Sequence, residues 1–478
     1  MRLVPEQGAG GACAILCGMP SQRRAVILSD LHMGPDNDLC SFRDDLPLAG
    51  LLHRLSEEPG SPLSELVLAG DLFDFLQVEG YDGFDAGRSA ERFEEILRSP
   101  RTARVMDGLR RLAERPGLAV TVLAGNHDPE LLVPAVRHRF EEAIGRTGSV
   151  LWADDEPPLR PAEGDRLPVW GHALGDARGD ALGDDGRQVW VIHGDRWDPL
   201  NFFDRRLIRE SLAAGRPVSL PAGSHLVFEV LQKLKPTYGW IDQLKPEPGV
   251  LVLLLYLDPP RAQEFLHKHL GLTARMVRGM VTAALQKGDL FGPEDQPVPP
   301  EPDAQAVLAG LLAGALTDEP EARREILLAE LESHLKGAAS PAPGTLADHG
   351  GLGRLLLRAG LRGFRWADRF QGLGTPDSVQ DASRWYIPGE EVAALIAGHT
   401  HGPRLQGDLH PAYFNTGTWL PVGKIPKGDI ADLIDQIEKG PTWPTESPRT
   451  FVQVDWGEGM PQVRLFACDE RGEAGEVS

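Results

Sequence analysis

The 478-residue sequence predicts an α/β fold interrupted by a large helical insert. Three observations predict it. Five short apolar runs alternate with helix-like stretches. Each run leads straight into carboxylate, imidazole or amide residues. Between Asp195 and Ala393 the alternation stops and long helix-like segments take over. Alternating strand and helix is the pattern of α/β chains, and short continuous apolar runs mark strands buried on both faces.

Residues 1–22 read as a flexible lead. The first strand, 25–28, runs into Ser29-Asp30-Leu31-His32. A helix-like stretch at 42–57 follows. The strand at 66–69 runs into Gly70-Asp71-Leu72-Phe73-Asp74, and a helix-like stretch covers 89–115. The strand at 119–124 runs into Gly125-Asn126-His127-Asp128, with a helix-like stretch at 129–144. A short strand at 168–170 precedes His172. The strand at 188–192 runs into His193-Gly194-Asp195. The insert carries helix-like segments at 200–235, 260–287, 303–337 and 352–371, separated by Pro-rich breaks at 293–302 and 341–343. Strands then return at 393–397, which runs into Gly398-His399-Thr400-His401, and at 412–415, 451–454 and 463–467. The last two bracket a turn at 456–459. The domain plan is a lead at 1–22, a first part of the core at 23–204, a helical cap at 205–388 and a second part of the core at 389–478.

Composition narrows the function. The 54 Gly and 40 Pro coexist with 41% hydrophobic residues, so they mark loops around a real core. A net charge of -21 weighs against wrapping a nucleic-acid backbone, which needs clustered Lys and Arg. The four cysteines, Cys13, Cys17, Cys40 and Cys468, are too scattered for a disulfide framework. The start of the chain has no basic segment followed by a long apolar run, so no signal peptide is expected. The longest apolar stretch, 250–257, is too short to span a bilayer. A cytoplasmic enzyme is the default expectation.

In open α/β folds ligands collect at the carboxyl ends of the strands. The five strand ends supply Asp30, His32, Asp71, Asn126, His193, His399 and His401. This donor set holds no thiolate and suits Mn, Fe, Zn, Co or Ni better than Ca or Mg. A single histidine is usually a packed or solvated residue; seven metal-competent residues, four of them histidines, at five strand ends are a pattern.

The order Asp-x-His, Gly-Asp-x-x-Asp, Gly-Asn-His-Asp, His, Gly-His-x-His resembles the signature of calcineurin-like metallophosphoesterases. The resemblance covers residues 24–200 and 390–420. It implies a β-sandwich flanked by helices and two divalent transition-metal ions, with Mn foremost. By motif position, Asp30, His32 and His401 would hold one ion and Asn126, His193 and His399 the other. Asp71 would bridge them. His127 would protonate the leaving oxygen or stabilise phosphate charge, Asp128 would orient His127, and Asp74 would support them.

The segment His193-Gly194-Asp195-Arg196-Trp197-Asp198, followed by Asn201-Phe202-Phe203-Asp204-Arg205-Arg206, also resembles UDP-2,3-diacylglucosamine hydrolases. Those enzymes cleave a pyrophosphate and carry a helical cap after this histidine. Two features differ: 206 residues separate His193 from His399, and His127 stands where Arg is found in the best-known members. The resemblance implies a phosphorylated small-molecule or lipid-linked substrate, and with a lipid a peripheral contact of the cap with the inner membrane. Arg196, Arg205 and Arg209 are candidate phosphate contacts, with solvated surface or acid partners as the other reading. A general phosphatase or phosphodiesterase, and a non-catalytic scaffold on the same fold, remain open at this point.

Overall fold

The computed structural model describes residues 23–58, 62–159, 170–174, 188–198, 201–236, 239, 392–406, 411–423, 445–456 and 460–477. The lead at 1–22, the apolar run at 250–257 and the helical segments expected at 260–287, 303–337 and 352–371 lie outside these residues, as do Cys13 and Cys17.

Strands β1 (Arg23–Leu28), β2 (Leu63–Ala69), β3 (Ala119–Leu123) and β4 (Val150–Trp152) lie side by side in parallel. A second sheet holds β5 (His172–Leu174), β6 (Gln188–Val191), β7 (Val392–Ala397), β8 (Arg404–Gln406) and β9 (Ala412–Asn415) in the order β5-β6-β7-β9-β8. Its three central strands are parallel and its two edges antiparallel. A small ladder joins β10 (Val422–Gly423) to β11 (Thr445–Glu446). Strands β12 (Thr450–Trp456), β13 (Gln462–Cys468) and β14 (Ala474–Glu476) then return to the first sheet. There β12 runs antiparallel to β1, with Val26 opposite Gln453, giving the order β14-β13-β12-β1-β2-β3-β4.

The apolar runs are continuous because both faces of these strands are covered. Ala25, Ile27, Val67 and Ala69 point between the sheets, where they meet Val189, Val191, Ala394 and Ile396. Their neighbours Val26, Leu28, Leu66 and Leu68 point the other way, into a core shared with helices. Those helices are led by α1 (Asp45–Glu57), whose Leu48, Leu51 and Leu52 are buried. The result is the expected sandwich flanked by helices.

Two expected helices are broken, both immediately before a proline. The stretch at 89–115 divides into α2 (Ser89–Arg98) and α3 (Pro100–Ala113), with Ser99 extended at ψ 125°. The stretch at 129–144 becomes a 3-10 turn, Pro129–Leu132, and then α4 (Pro134–Ala143), with Val133 at ψ 122°. The proline ring clashes with a helical conformation of the preceding residue, which explains both breaks. Residues 168 and 169 of the strand expected at 168–170 lie outside the described residues; a strand begins at His172, whose ring reaches Glu65 at 2.7 Å on the facing sheet.

Within 200–235 the chain forms α5 (Arg205–Ala213) and α6 (Ala222–Leu226), the latter continuing through a π turn, Val227–Leu231, into α7 (Gln232–Leu234). Asp204 caps α5, accepting the Arg206 N–H at 2.9 Å. Ile208 and Phe228 belong to the same apolar cluster as Val26 and Leu28. The first helices assigned to the insert are therefore packed on the core itself. Among the described residues no helix is long and apolar enough to cross a membrane.

Candidate metal centre

Parallel pairing brings the carboxyl ends of β1, β2 and β3 to one edge of the first sheet, and those of β6 and β7 to the same edge of the second. Asp30 and His32 follow β1, Asp71 and Asp74 follow β2, Asn126 and His127 follow β3, His193 follows β6, and His399 and His401 follow β7. Asp30, His32, Asp71, Asn126, His193 and His401 are all buried.

The chain turns sharply at these points. Asp30 (φ 52°), His32 (47°), Asp71 (51°), His399 (68°) and His401 (59°) have left-handed backbones, as does only one other non-glycine residue among those described. Each such residue costs about 1–3 kcal/mol, and the surroundings must hold it there. Asp30 is held from three sides. Its carboxylate accepts the His399 N–H at 3.0 Å and the Ser29 hydroxyl, and its carbonyl accepts the Thr418 hydroxyl at 2.8 Å. Two glycines permit the close approach. A Cβ on Gly125 would overlap the Asp71 carboxylate, and one on Gly398 would overlap Asp30 and Ser29.

Among the described residues the donor atoms converge in three groups, two of which share Asp71. The first of these is Asp30, His32, Asp71 and His401 and the second is Asp71, His193 and His399; the remaining group, His32, Asp74 and His127, lies beside the first. In the first, the Nε2 atoms of His32 and His401 face each other at 3.0 Å, with Asp30 Oδ1 3.4 Å from His401 Nε2. In the second, His193 Nε2 lies 3.2 Å from Asn126 Oδ1. Asp71 Oδ2 belongs to both, at 3.6 Å from His32 Nε2 and 3.4 Å from His193 Nε2. Its Oδ1 is occupied by the His127 N–H at 2.8 Å. Donors roughly 2.0–2.2 Å from a dication stand about 3.0–3.5 Å from one another, so these groups fit two ions that share one carboxylate.

Charge points the same way. Burial works against a charged His193, yet Asp71, Asp30 and Asp195 push its pKa up to about 10. Burial likewise opposes ionisation of Asp71, but His193, His127 and His32 hold its carboxyl well below the usual carboxylate range. These carboxylates draw positive charge into a buried space, as a cation site must. The Nδ1 of His193 sits 3.0 Å from the Ala69 carbonyl, and an N–H there leaves Nε2 as the donor atom.

Residues 23–253 match the family of calcineurin-like phosphoesterases. That stretch is just under half of the chain. The family match and the clustered donors support a metal-dependent phosphoesterase with a dinuclear divalent-metal site. Among curated proteins no sequence match was found. The family match ends well before His399 and His401, which the returning strand β7 adds to the two groups.

Around this site one sequence expectation changes and two open ones resolve. Asp128 was expected to orient His127. Its carboxylate instead accepts four backbone N–H groups: Gly125 at 2.6 Å, Leu72 at 2.7 Å, Phe73 at 3.2 Å and Asp71 at 3.3 Å. It ties the loop after β2 to the loop after β3. The carboxylate beside the His127 ring is Asp74, with Oδ1 3.2 Å from Nδ1, while Asp74 Oδ2 lies 3.3 Å from His32 Nδ1. Arg205 was a candidate phosphate contact with acid partners as the other reading, and the latter holds. It is buried, donating to Asp154 at 2.7 Å and to the Ala124 carbonyl at 2.6 Å, with Asp195 at 3.3 Å. Its guanidinium is consumed in fastening α5 to the loop that carries Asn126. Arg209 stacks over the Trp170 ring at 5.1 Å and pairs with Asp155 at 3.6 Å, which is the acid-partner reading. Arg196 is half-buried in the turn after His193. The residue sequence reasoning left without a role is Asp198, whose Oδ2 lies 3.1 Å from His399 Nε2.

Proposed function

We propose that Asp30, His32 and His401 hold one ion, that Asn126, His193 and His399 hold the second, and that Asp71 is shared between them. The single observation carrying this assignment is the position of Asp71 Oδ2, within 3.6 Å of a histidine donor from each group. When bound, such an ion pair supplies Lewis-acid neutralisation of phosphoryl charge and lowers the pKa of an attacking water. The donor set suits Mn, Fe, Zn, Co or Ni, and the resemblance to calcineurin-like metallophosphoesterases puts Mn foremost.

The protein's own part is positioning and proton transfer. The His127 side chain is 15% exposed, whereas His32 and His193 are at 1% and 0%. His127 is therefore the imidazole a substrate can reach. Asp74 Oδ1, 3.2 Å from its Nδ1, orients the ring, which would deliver a proton to the departing oxygen. Burial opposes the Asp74 charge, but His127 and His32 hold its carboxyl well below the ordinary range, so it stays an acceptor throughout.

Within the phosphoester class we favour a pyrophosphate in a nucleotide-linked or lipid-linked substrate of the UDP-diacylglucosamine type. The support is the segment from His193 to Arg206 and the insert that follows it. A lipid substrate would bring peripheral membrane contact and a cytoplasmic location. His127 in place of Arg favours a second reading, a phosphatase or phosphodiesterase of wider range. The test is Mn-dependent hydrolysis of UDP-linked lipids, phosphopeptides and cyclic nucleotides by wild type and Asp71→Ala. Cleavage of the UDP-linked lipid alone, lost in the variant, supports the pyrophosphatase; preference for phosphopeptides or cyclic nucleotides supports the second reading. Activity that survives Asp71→Ala refutes the shared-carboxylate assignment.

A further inference from the structure

Among the donors of the second group, His399 is the one at the surface of the cluster, only partly buried. It also has a left-handed backbone, φ 68°, and follows a glycine. Its ring packs edge-on against the His193 ring, with centroids 5.3 Å apart. The polar contact on it comes from another segment: Asp198 Oδ2, 3.1 Å from His399 Nε2. The Asp198 carboxylate is itself held. The Asn201 side-chain amide donates to Oδ2 at 2.7 Å, and the Asp198 backbone donates to the Asp195 carbonyl at 2.9 Å while its own carbonyl accepts the Phe202 N–H at 2.7 Å. The anchor is a tight turn directly after His193, between one donor of the second group and helix α5.

An imidazole has two nitrogens, and a carboxylate on one selects the tautomer and orientation of the other. With Nε2–H directed at Asp198, Nδ1 becomes the basic nitrogen. Asp198 is not part of the group formed by Asp71, His193 and His399, so it acts on the ring from outside that group. We propose that Asp198 is a positioning residue that orients His399 and tightens the ion held with Asp71 and His193, so that the root of the helical insert helps set the occupancy of one of the two metal positions. This rests on the dinuclear assignment above.

The experiment is stepwise Mn(II) titration of the full chain by calorimetry, with bound metal counted by elemental analysis, for wild type, Asp198→Ala, Asp198→Asn and Asp198→Leu. Wild type is expected to take two ions. In Asp198→Ala, one binding step weakens by about 10- to 100-fold, the usual effect of removing such a carboxylate, while the other step changes little. Asp198→Asn keeps an acceptor for Nε2–H and recovers part of the loss, whereas Asp198→Leu, which fills the space without an acceptor, does not; recovery in Asp198→Leu would signal a merely space-filling role. Two wild-type-like steps in Asp198→Ala overturn the proposal, as does equal weakening of both steps in Asp198→Ala and Asp198→Asn, which signals a general structural role. Fewer than two ions in wild type sinks the dinuclear assignment itself, separately from any effect of Asp198.

Discussion

Gly125 offers a sharp test of how tightly the site is built. Its φ lies outside the left-handed range, so alanine strains no backbone there, and the whole effect of Gly125→Ala must come from the added methyl. That methyl would stand 2.8 Å from Asp71 Cγ and overlap both Asp71 Oδ1 and the Asp71 amide nitrogen. Ordinary carbon–carbon contact begins at about 3.5 Å, so the carboxylate must retreat by about 0.7 Å, and Oδ1 by more. Asp71 is the donor common to both groups, and a misplacement near 1 Å costs on the order of 10²-fold in rate. Crowding of this kind also destabilises by about 1–3 kcal/mol. The control is Gly402→Ala, next to His401, where a Cβ meets nothing within 4 Å. The assay is Mn-dependent hydrolysis of a generic phosphodiester beside urea unfolding of the same samples. The expected result is about a 100-fold loss of kcat/KM in Gly125→Ala and near wild-type behaviour in Gly402→Ala. Equal activity in the two variants would refute the claim that Asp71 is held to a fraction of an ångström.

Other perturbations follow from the same structure. Burial pushes the Glu130 carboxyl up to about 7, even though it accepts the Tyr81 hydroxyl at 2.8 Å. A raised acid costs nothing while protonated in both states, below its unfolded value of 4.5, and its cost grows as pH rises toward 7. Glu130→Gln should therefore stabilise the protein by up to about 3 kcal/mol at pH 8 and by almost nothing at pH 4, read from urea midpoints; a pH-independent effect would contradict this. Arg205→Met leaves Asp154 and Asp195 buried without their partner and should cost about 3–5 kcal/mol in stability. A stable Arg205→Met with a raised KM would instead restore the phosphate-contact reading. Mn(II) at one hundred times its dissociation constant should add about 2.7 kcal/mol of stability per site, and EDTA should remove it, with the denaturant slope unchanged.

Much of the site was legible because strands covered on both faces leave continuous apolar runs, and each run points at its terminal residues. Asp30, Asp71, Asn126, His193 and His399 could be placed at one edge from that rule alone. The left-handed backbones at five of the donors could not, since sequence shows which residues tolerate such a conformation, not which are forced into it. Arg205 stayed undecided for a related reason. Helical spacing puts Arg205 and Arg209 on one side of α5, but it does not say that this side faces the core, where Asp154 waits 51 residues away in the chain. Asp198 was invisible because its partner His399 lies 201 residues further on. The helix breaks at Ser99 and Val133 were readable in principle, since a proline follows each, and the apolar pattern running through them masked the signal. β4 and β14, at three residues each, are too short to show a period.

The position of β1 between β2 and β12 has a consequence for biosynthesis. One neighbour is made almost at once, but β1 ends at Leu28 and β12 begins at Thr450, about 420 residues later. At roughly 5–20 residues per second the ribosome needs about 20–85 s to supply the second neighbour. During that interval one side of β1 lacks its native partner, an invitation to pairing with other chains that a chaperone would have to shield. His399 and His401 arrive in the same late stretch. A nascent chain can thus assemble Asp30, Asp71 and His193 long before it can complete either group of donors, which waits for His399 and His401.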